Sequence, residues 1–190
     1  RLSWIDGLVA VMSGLETRRM SIRPFSFFSG ALYARKVCQV YVPPSYSSQD
    51  ERRYPVVYLL HGLYGDETSW SVKGSAEETL NALIGSGELD ECIVVMPNDG
   101  SYAHGTFYVN WYDGSGRFED YILYDLIPAI DREFRTRSDR KMRAVCGLSM
   151  GGFGAFSLAL RHPQLFGCAA SIAGAMISAP QLTPAHLRGA

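Results

Sequence analysis

The residue best suited to chemistry in this sequence is Ser149, at the centre of Gly147-Leu148-Ser149-Met150-Gly151. An apolar run that ends at Cys146 predicts a strand before it, and small and apolar residues from Gly152 to Leu160 predict a helix after it. Gly-x-Ser-x-Gly between a strand and a helix is typical of a nucleophile elbow, a tight turn that presents a serine hydroxyl. The glycines fit, because side chains there would collide with the neighbouring strand and helix. The spacing therefore predicts that Ser149 is a nucleophile.

A nucleophilic serine needs a base, a group that orients the base, and donors for the oxyanion. We expect one donor to be the backbone N–H of Met150, at the start of the helix after the elbow. The second is expected after an earlier strand, where Gly62 lets the chain turn back and presents the N–H of Leu63. His61-Gly62 could instead be an ordinary turn at the end of a strand. The nucleophile elbow later in the sequence favours its interpretation as part of an oxyanion hole.

The elements that position these residues alternate between strands and helices from Tyr54 to Ala173. The nearly continuous apolar runs at 54–60 and 92–96 predict parallel strands that are covered on both faces. Residues 36–42 also read as a strand, and Ser75-Ala76-Glu77-Glu78 reads as a capping box at a helix start. This alternation predicts an α/β fold with a mostly parallel central sheet flanked by helices.

A further helix is predicted over about 117–135, where apolar residues recur at helical spacing. Pro128 would kink this helix unless the helix is broken there. Asp125 falls on its apolar side, so we expect that carboxylate to have a hydrogen-bonded partner.

The composition indicates one globular domain over residues 1–190, with 47% hydrophobic and 19% charged residues. A net charge of −1 does not call for a nucleic-acid partner, and no apolar run is long enough to span a membrane. The four cysteines lack Cys-x-x-Cys spacing, so no metal site is predicted. Buried, reduced thiols are favoured instead, which favours a cytoplasmic location over secretion.

Several motifs of this sequence recur together, in this order, in one known family. They are Leu59-Leu60-His61-Gly62-Leu63, the stretch from Asp66 to Trp70, Met96-Pro97-Asn98-Asp99-Gly100, Asn110-Trp111-Tyr112, and Gly147-Leu148-Ser149-Met150-Gly151-Gly152. The chain resembles the "putative esterase" (esterase D-like) branch of the α/β-hydrolases over residues 36–175, with residues 1–20 as an N-terminal extension. That branch includes S-formylglutathione hydrolases, feruloyl, acetyl-xylan and tributyrin-type esterases, and the antigen 85 mycolyltransferases.

The resemblance implies an α/β-hydrolase fold and hydrolysis of a small-molecule carboxylic or thio ester without a cofactor. It also implies that Ser149 is the nucleophile, and that the amides of Leu63 and Met150 form the oxyanion hole. Trp70, Trp111 and Tyr112 are candidate residues of the substrate pocket, although aromatic residues are as often part of a core. The oligomeric state is open, with a dimer among the possibilities.

The sequence departs from the family in its acid and base. The family order is Ser, then Asp or Glu, then His, yet no Asp or Glu follows Met150. His162 is expected at a surface or packing position, and His186 has no acid after it. We therefore expect the acid and the base beyond Ala190, together with the last strands of the domain.

Three alternatives stay open at this point. His104 with Asp99 or Asp113 could supply a triad in another chain order. Asn110-Trp111-Tyr112 resembles the mycolyltransferases, which indicates an acyltransferase. The missing acid and base would also suit an α/β-hydrolase-like protein without catalytic activity.

Overall fold

The computed structural model describes residues 21–100 and 105–176, whose centre is a six-stranded sheet in the order β1-β2-β4-β3-β5-β6. The strands are β1 (Ile22–Ser29), β2 (Ala34–Tyr41), β3 (Val56–Leu60), β4 (Ile93–Pro97), β5 (Arg143–Leu148) and β6 (Cys168–Ile172). β1 and β2 form an antiparallel hairpin and β2 pairs antiparallel with β4, whereas β4, β3, β5 and β6 run parallel. The predicted mostly parallel sheet is confirmed. The extension over residues 1–20 lies outside the described residues, and the single domain over 1–190 stays a prediction.

Helices cover both faces of this sheet. They are α1 (Ala76–Gly85), α2 (Phe118–Asp120), α3 (Ile127–Glu133) and α4 (Met150–Arg161), with a first π-helix (Ser69–Lys73) and a second π-helix (Tyr121–Leu126). The second π-helix, α3 and α4 pack in one apolar cluster on one face, while α1 packs in a smaller cluster on the other. No helix in the described ranges has the length and apolar content needed to cross a bilayer.

Strand β4 shows why the central runs are apolar throughout. Val95 belongs to the large cluster, while its neighbours Val94 and Met96 belong to the small cluster on the opposite face. Successive side chains of a strand point to opposite faces, so a strand between two helical layers needs apolar residues at every position. All five residues of β4 are buried, as the sequence predicts.

The helical segment around Pro128 changes its hydrogen-bond type twice without a gap in the chain. The second π-helix ends at Leu126, and Pro128 then lies in the first turn of α3. Proline has no N–H to donate, and just before it the N–H of Ile127 donates to the carbonyl oxygen of Ile122, five residues back. The change of helix type thus falls directly before Pro128, and the kink stays a prediction.

Asp125 anchors the hairpin of β1 and β2 to the second π-helix. Its carboxylate accepts a hydrogen bond from the Ser29 hydroxyl at 2.6 Å and one from the Ala31 N–H at 2.9 Å. The Ser29 hydroxyl in turn accepts from the N–H of Leu32 at 3.1 Å. The predicted hydrogen-bonded partner of Asp125 is confirmed, and its role is structural.

The prediction of a capping box at Ser75 is wrong. α1 begins at Ala76 as expected, but Ser75 has φ 47° and its side chain makes no cap hydrogen bond. A serine N-cap needs extended backbone angles, and the left-handed conformation does not direct its hydroxyl to the helix amides. The Glu77 carboxylate accepts a hydrogen bond from the N–H of Ser21 at 2.9 Å.

The cysteine prediction is confirmed in part. All four are free thiols, and Cys38 and Cys92 are buried. Burial raises the pKa of Cys38 to about 12 and that of Cys92 to about 11, which keeps both thiols protonated. Cys168, however, is exposed, because β6 is the last strand of the described sheet.

The anchor at Asp125 predicts a stability effect. Asp125→Ala leaves the Ser29 hydroxyl and the Ala31 N–H without their acceptor, so we expect unfolding to become easier by about 1–3 kcal/mol. Urea denaturation of the intact protein measures this, with Asp50→Ala at an exposed turn position as the control. Equal stability of the two variants would contradict the anchoring role.

Candidate active site

The elbow at Ser149 has the geometry that its glycines indicate. Ser149 lies between β5 and α4 with φ 54° and ψ −115°, backbone angles that residues other than glycine rarely adopt. A Cβ built on Gly147 would lie 2.1 Å from the carbonyl oxygen of Gly151. Since two backbones meet there, no side chain fits at Gly147. The predicted strand–turn–helix setting of Ser149 is confirmed.

The turn after β3 lies beside this elbow. The parallel pairing of β3 with β5 puts Leu60 opposite Gly147, so the two chains leave the sheet side by side. A Cβ built on Gly62 would lie 3.4 Å from the Cβ of Ser149. Ligands of open α/β sheets bind at this edge, outside the carboxyl ends of the strands, where the strand order reverses.

The two candidate oxyanion residues also come together. A Cβ built on Gly105 would lie 2.3 Å from Leu63 Cδ1 and 2.5 Å from Met150 Sδ, so both side chains pack on this one glycine. Met150 is the first residue of α4, where N–H groups have no acceptor within the helix and the helix dipole favours negative charge. The sheet thus places the turn at Leu63 and the start of α4 next to Ser149, an arrangement that could hold an oxyanion.

A buried polar network, which the sequence analysis did not find, supports this turn. The Tyr108 hydroxyl donates to the carbonyl oxygen of His61 at 3.1 Å, and the N–H of Asp99 donates to His61 Nε2 at 3.1 Å. Because Nε2 accepts, the ring proton lies on Nδ1 and is donated to the carbonyl oxygen of Gly62 at 2.8 Å. His61 therefore holds the turn and does not serve as the base for Ser149. Tyr108 belongs to no recognisable sequence motif, so its role is apparent only from its hydrogen bond to His61 in the folded structure.

The described acidic residues of the alternative triad have structural contacts. The buried Asp99 carboxylate accepts from the N–H of Thr106 at 3.1 Å. The exposed Asp113 carboxylate binds the hydroxyl and the N–H of Ser115, and these hydrogen bonds hold its pKa below the ordinary value. His104 lies outside the described residues, as does His186.

His162 is at a packing position, as expected. It follows the last residue of α4, and its Nε2 lies 2.5 Å from an oxygen of the buried Glu119. At 1.5 Å per residue, α4 separates His162 from Ser149 by roughly 20 Å. His162 therefore cannot act on the Ser149 hydroxyl.

A cleft of about 240 Å³ opens between the turn at Leu63 and the first π-helix, and we call it the Trp70 cleft. It is lined by His61, Gly62, Leu63, Gly65, Ser69, Trp70, Lys73, Gly74 and Leu148. Trp111 packs edge to face on Phe118 with 5.0 Å between ring centres, and Tyr112 is 94% exposed. Of the three aromatic candidates, the structure brings Trp70 to this cleft. The substrate role of all three stays a prediction.

The sheet order, the elbow and the turn beside it define an α/β-hydrolase. The "Putative esterase" family model matches residues 29–185. A relative from Xylanibacter ruminicola, an endo-1,4-beta-xylanase/feruloyl esterase, is 36% identical over 77% of this chain and 20% of its own length. An S-formylglutathione hydrolase from Arabidopsis thaliana is 28% identical over 73% of this chain and 51% of its own. A solved ferulic acid esterase has a TM-score of 0.74 and 30% identity, covering 86% of this chain and 62% of that one.

The chain belongs to the putative esterase family, because the family model matches most of its length. The resemblance that the motifs indicate is therefore confirmed. The chain spans less than two thirds of the length of each of these relatives.

Because α4 approaches the sheet so closely, adding one methyl group at Gly151 is predicted to lower the stability of the protein strongly. A Cβ at Gly151 would lie 2.2 Å from the carbonyl oxygen of Leu60, so Gly151→Ala must displace backbone, and we expect loss of several kcal/mol of stability. Gly85→Ala is the matched control, since Gly85 is also helical and nothing lies within 4 Å of a Cβ there. We expect the control to be neutral or slightly stabilising. Thermal unfolding of both variants measures the difference, and equal melting temperatures would contradict this geometry.

Proposed function

We propose that this protein hydrolyses carboxylic or thio esters through an acyl-enzyme on Ser149. The observation that carries the proposal is the left-handed conformation of Ser149 beside the Gly62-Leu63 turn, in a chain of the putative esterase family. A nucleophile in such an elbow meets its substrate where backbone N–H groups also converge.

The chemistry runs in two steps. The Ser149 oxygen attacks the ester carbonyl carbon while a base takes the hydroxyl proton, and the N–H groups of Leu63 and Met150 stabilise the oxyanion. Collapse of this intermediate releases the alcohol or thiol, which receives that proton, and leaves an ester on Ser149. Water, activated by the same base, then releases the acid and restores the serine.

The base and its orienting acid are proposed to lie beyond Ala190. His61 is committed to the turn and His162 lies far along α4, so neither described histidine can do this work. The family order of Ser, acid and His supports a later position. No cofactor enters these steps, and a cytoplasmic location stays a prediction.

The relatives suggest which esters to try first. The names of the Xylanibacter and Arabidopsis proteins refer to feruloyl esters and to S-formylglutathione. Both are small molecules with an oxygen or thio ester, so both belong in the first substrate panel for this protein.

The acyltransferase alternative gains no support from the stretch that suggested it. The Asn110 side chain accepts hydrogen bonds from the N–H groups of Glu119 and Asp120, so it caps the start of α2. Trp111 packs on Phe118. The structure of the loop thus accounts for these two residues without an acceptor substrate.

The decisive variant is Ser149→Ala. We expect ester turnover by the intact protein to fall roughly 10⁴-fold or more, because the acyl-enzyme can no longer form. Ser157→Ala, on the same helix, serves as the control and should keep full activity. Undiminished turnover in Ser149→Ala would overturn the mechanism, and no turnover of any ester by the parent protein would favour the non-catalytic alternative.

Tyr108→Phe tests the support of the turn. The ring that packs on Gly154 stays, while the hydrogen bond to the His61 carbonyl oxygen is lost. Burial raises the pKa of Tyr108 well above its ordinary value, so this hydroxyl is a donor at every working pH. We expect kcat to fall about tenfold with little change in KM, since a misplaced oxyanion donor acts in the transition state.

The control for Tyr108→Phe is Tyr124→Phe, which changes an exposed tyrosine of the second π-helix. Wild-type kcat in Tyr108→Phe, with the control also unchanged, would show that the turn does not need this hydrogen bond.

A further inference from the structure

The Trp70 cleft adjoins the turn that lies beside Ser149. Its lining includes Gly62, whose built Cβ would lie 3.4 Å from the Cβ of Ser149, and Leu148, the residue before the serine. The cleft therefore lies within reach of one arm, acyl or alcohol, of an ester bound at Ser149. A volume of about 240 Å³ is below the 300–1,000 Å³ that is usual for whole ligands, so it suits one arm alone.

The first π-helix builds the wall opposite Leu63. π-Helical turns are rare and are frequently found at functional sites. This one carries Trp70 and Lys73 into the lining and ends at Lys73, and a Cβ at the next residue, Gly74, would lie 2.8 Å from the carbonyl oxygen of Trp70. The wall therefore presents an indole and, three residues later, an ammonium group.

The chemistry of the lining is mainly apolar with one full positive charge. Leu63, Leu148 and Trp70 supply apolar surface, and His61 is neutral because its Nε2 accepts a hydrogen bond. Lys73 is exposed and supplies the charge. Such a cleft complements an arm with an apolar body and an anionic group.

One anion of the protein already acts on Lys73. Hydrogen bonds from Thr68, together with the charge of Lys73, hold the pKa of Asp66 below its ordinary value, so Asp66 is ionised. Asp66 is exposed, and its charge weakens the field of Lys73 without removing it. The two residues should therefore have opposite effects on a negatively charged ligand.

We propose that the Trp70 cleft selects esters of which one arm carries a carboxylate, with Lys73 as the residue that determines this specificity. This inference rests on the proposed esterase function and further specifies that the preferred substrate is negatively charged.

The test uses two matched ester pairs. On the acyl side they are 4-nitrophenyl butyrate and 4-nitrophenyl hemisuccinate; on the alcohol side they are phenyl acetate and 4-acetoxybenzoate. For each pair the measured quantity is the ratio of kcat/KM for the anionic ester to kcat/KM for the neutral one. Comparing this ratio between variants cancels differences in intrinsic reactivity.

We expect Lys73→Met to lower the ratio about two- to fivefold in one of the two pairs, as for other exposed charge pairs. Lys73→Arg should keep the ratio, and Asp66→Asn should raise it, because Asn preserves an acceptor for Thr68 and removes only the charge. The matched control is Lys141→Met, an exposed lysine before β5 at the far end of the sheet from Ser149. High salt should shrink the difference between Lys73→Met and the parent protein.

The outcomes separate the two proposals. A ratio that stays constant in both pairs for Lys73→Met, while turnover depends on Ser149, overturns the anionic-arm proposal and leaves the esterase intact. A ratio that falls equally in Lys141→Met also overturns it, since net charge alone would then be responsible. If the parent protein hydrolyses none of the four esters, nor the feruloyl and S-formylglutathione esters, the esterase proposal fails and the anionic arm fails with it.

Discussion

The contact between the first turn of α4 and the ends of β3 and β5 is the constraint on which the candidate site depends. Gly151 lies so close to the carbonyl oxygen of Leu60 that a single methyl group would overlap it, and Gly147 lies equally close to Gly151. Protein interiors are close-packed, so a helix can approach a sheet this nearly only where side chains are absent. That approach brings the helix N-terminus to the Gly62-Leu63 turn and forces Ser149 into its left-handed conformation.

A strained serine persists only if its surroundings over-determine it. Its N–H donates to the carbonyl oxygen of Ile172 on β6 at 2.9 Å, and its own carbonyl oxygen accepts from the N–H of Ala175 at 3.1 Å. On the other side, Tyr108 and Asp99 fix His61 at the base of the turn. The elbow and the turn are thus tied to different elements, and buried, fully paired polar networks of this kind make one geometry unique.

Sequence reasoning succeeded where a short stretch contains its own physical cause. The continuous apolar run of β4 and the glycines around Ser149 each report a local requirement, namely two covered faces or a backbone contact. It failed at Ser75, whose left-handed conformation breaks a capping box that is correct by spacing. It also missed Tyr108, because its hydroxyl donates to the carbonyl oxygen of a residue that is distant in sequence, and no pattern near Tyr108 indicates this hydrogen bond.

The two π-helices also show that a short stretch of sequence predicts some local features, while others become apparent only in the folded structure. Pro128 signals a disturbance of its helix, but the sequence does not show that the residues before it, such as the buried Tyr121 and Ile122, form a π-helix. The π-helix at Ser69–Lys73 has no such signal, although it forms one wall of the Trp70 cleft.

β3, β5, β6 and the start of α4 together position Ser149 and the Gly62-Leu63 turn, with further support from Tyr108 and Asp99. Backbone hydrogen bonds and close glycine contacts fix the elbow, and both described histidines, His61 and His162, are hydrogen-bonded to other groups. In the proposed mechanism the base approaches from outside these elements, and Ser149 is only half-buried, which leaves its side chain open to such an approach. The backbone strain at Ser149 is thus maintained within the described sheet, independently of where the proposed base lies.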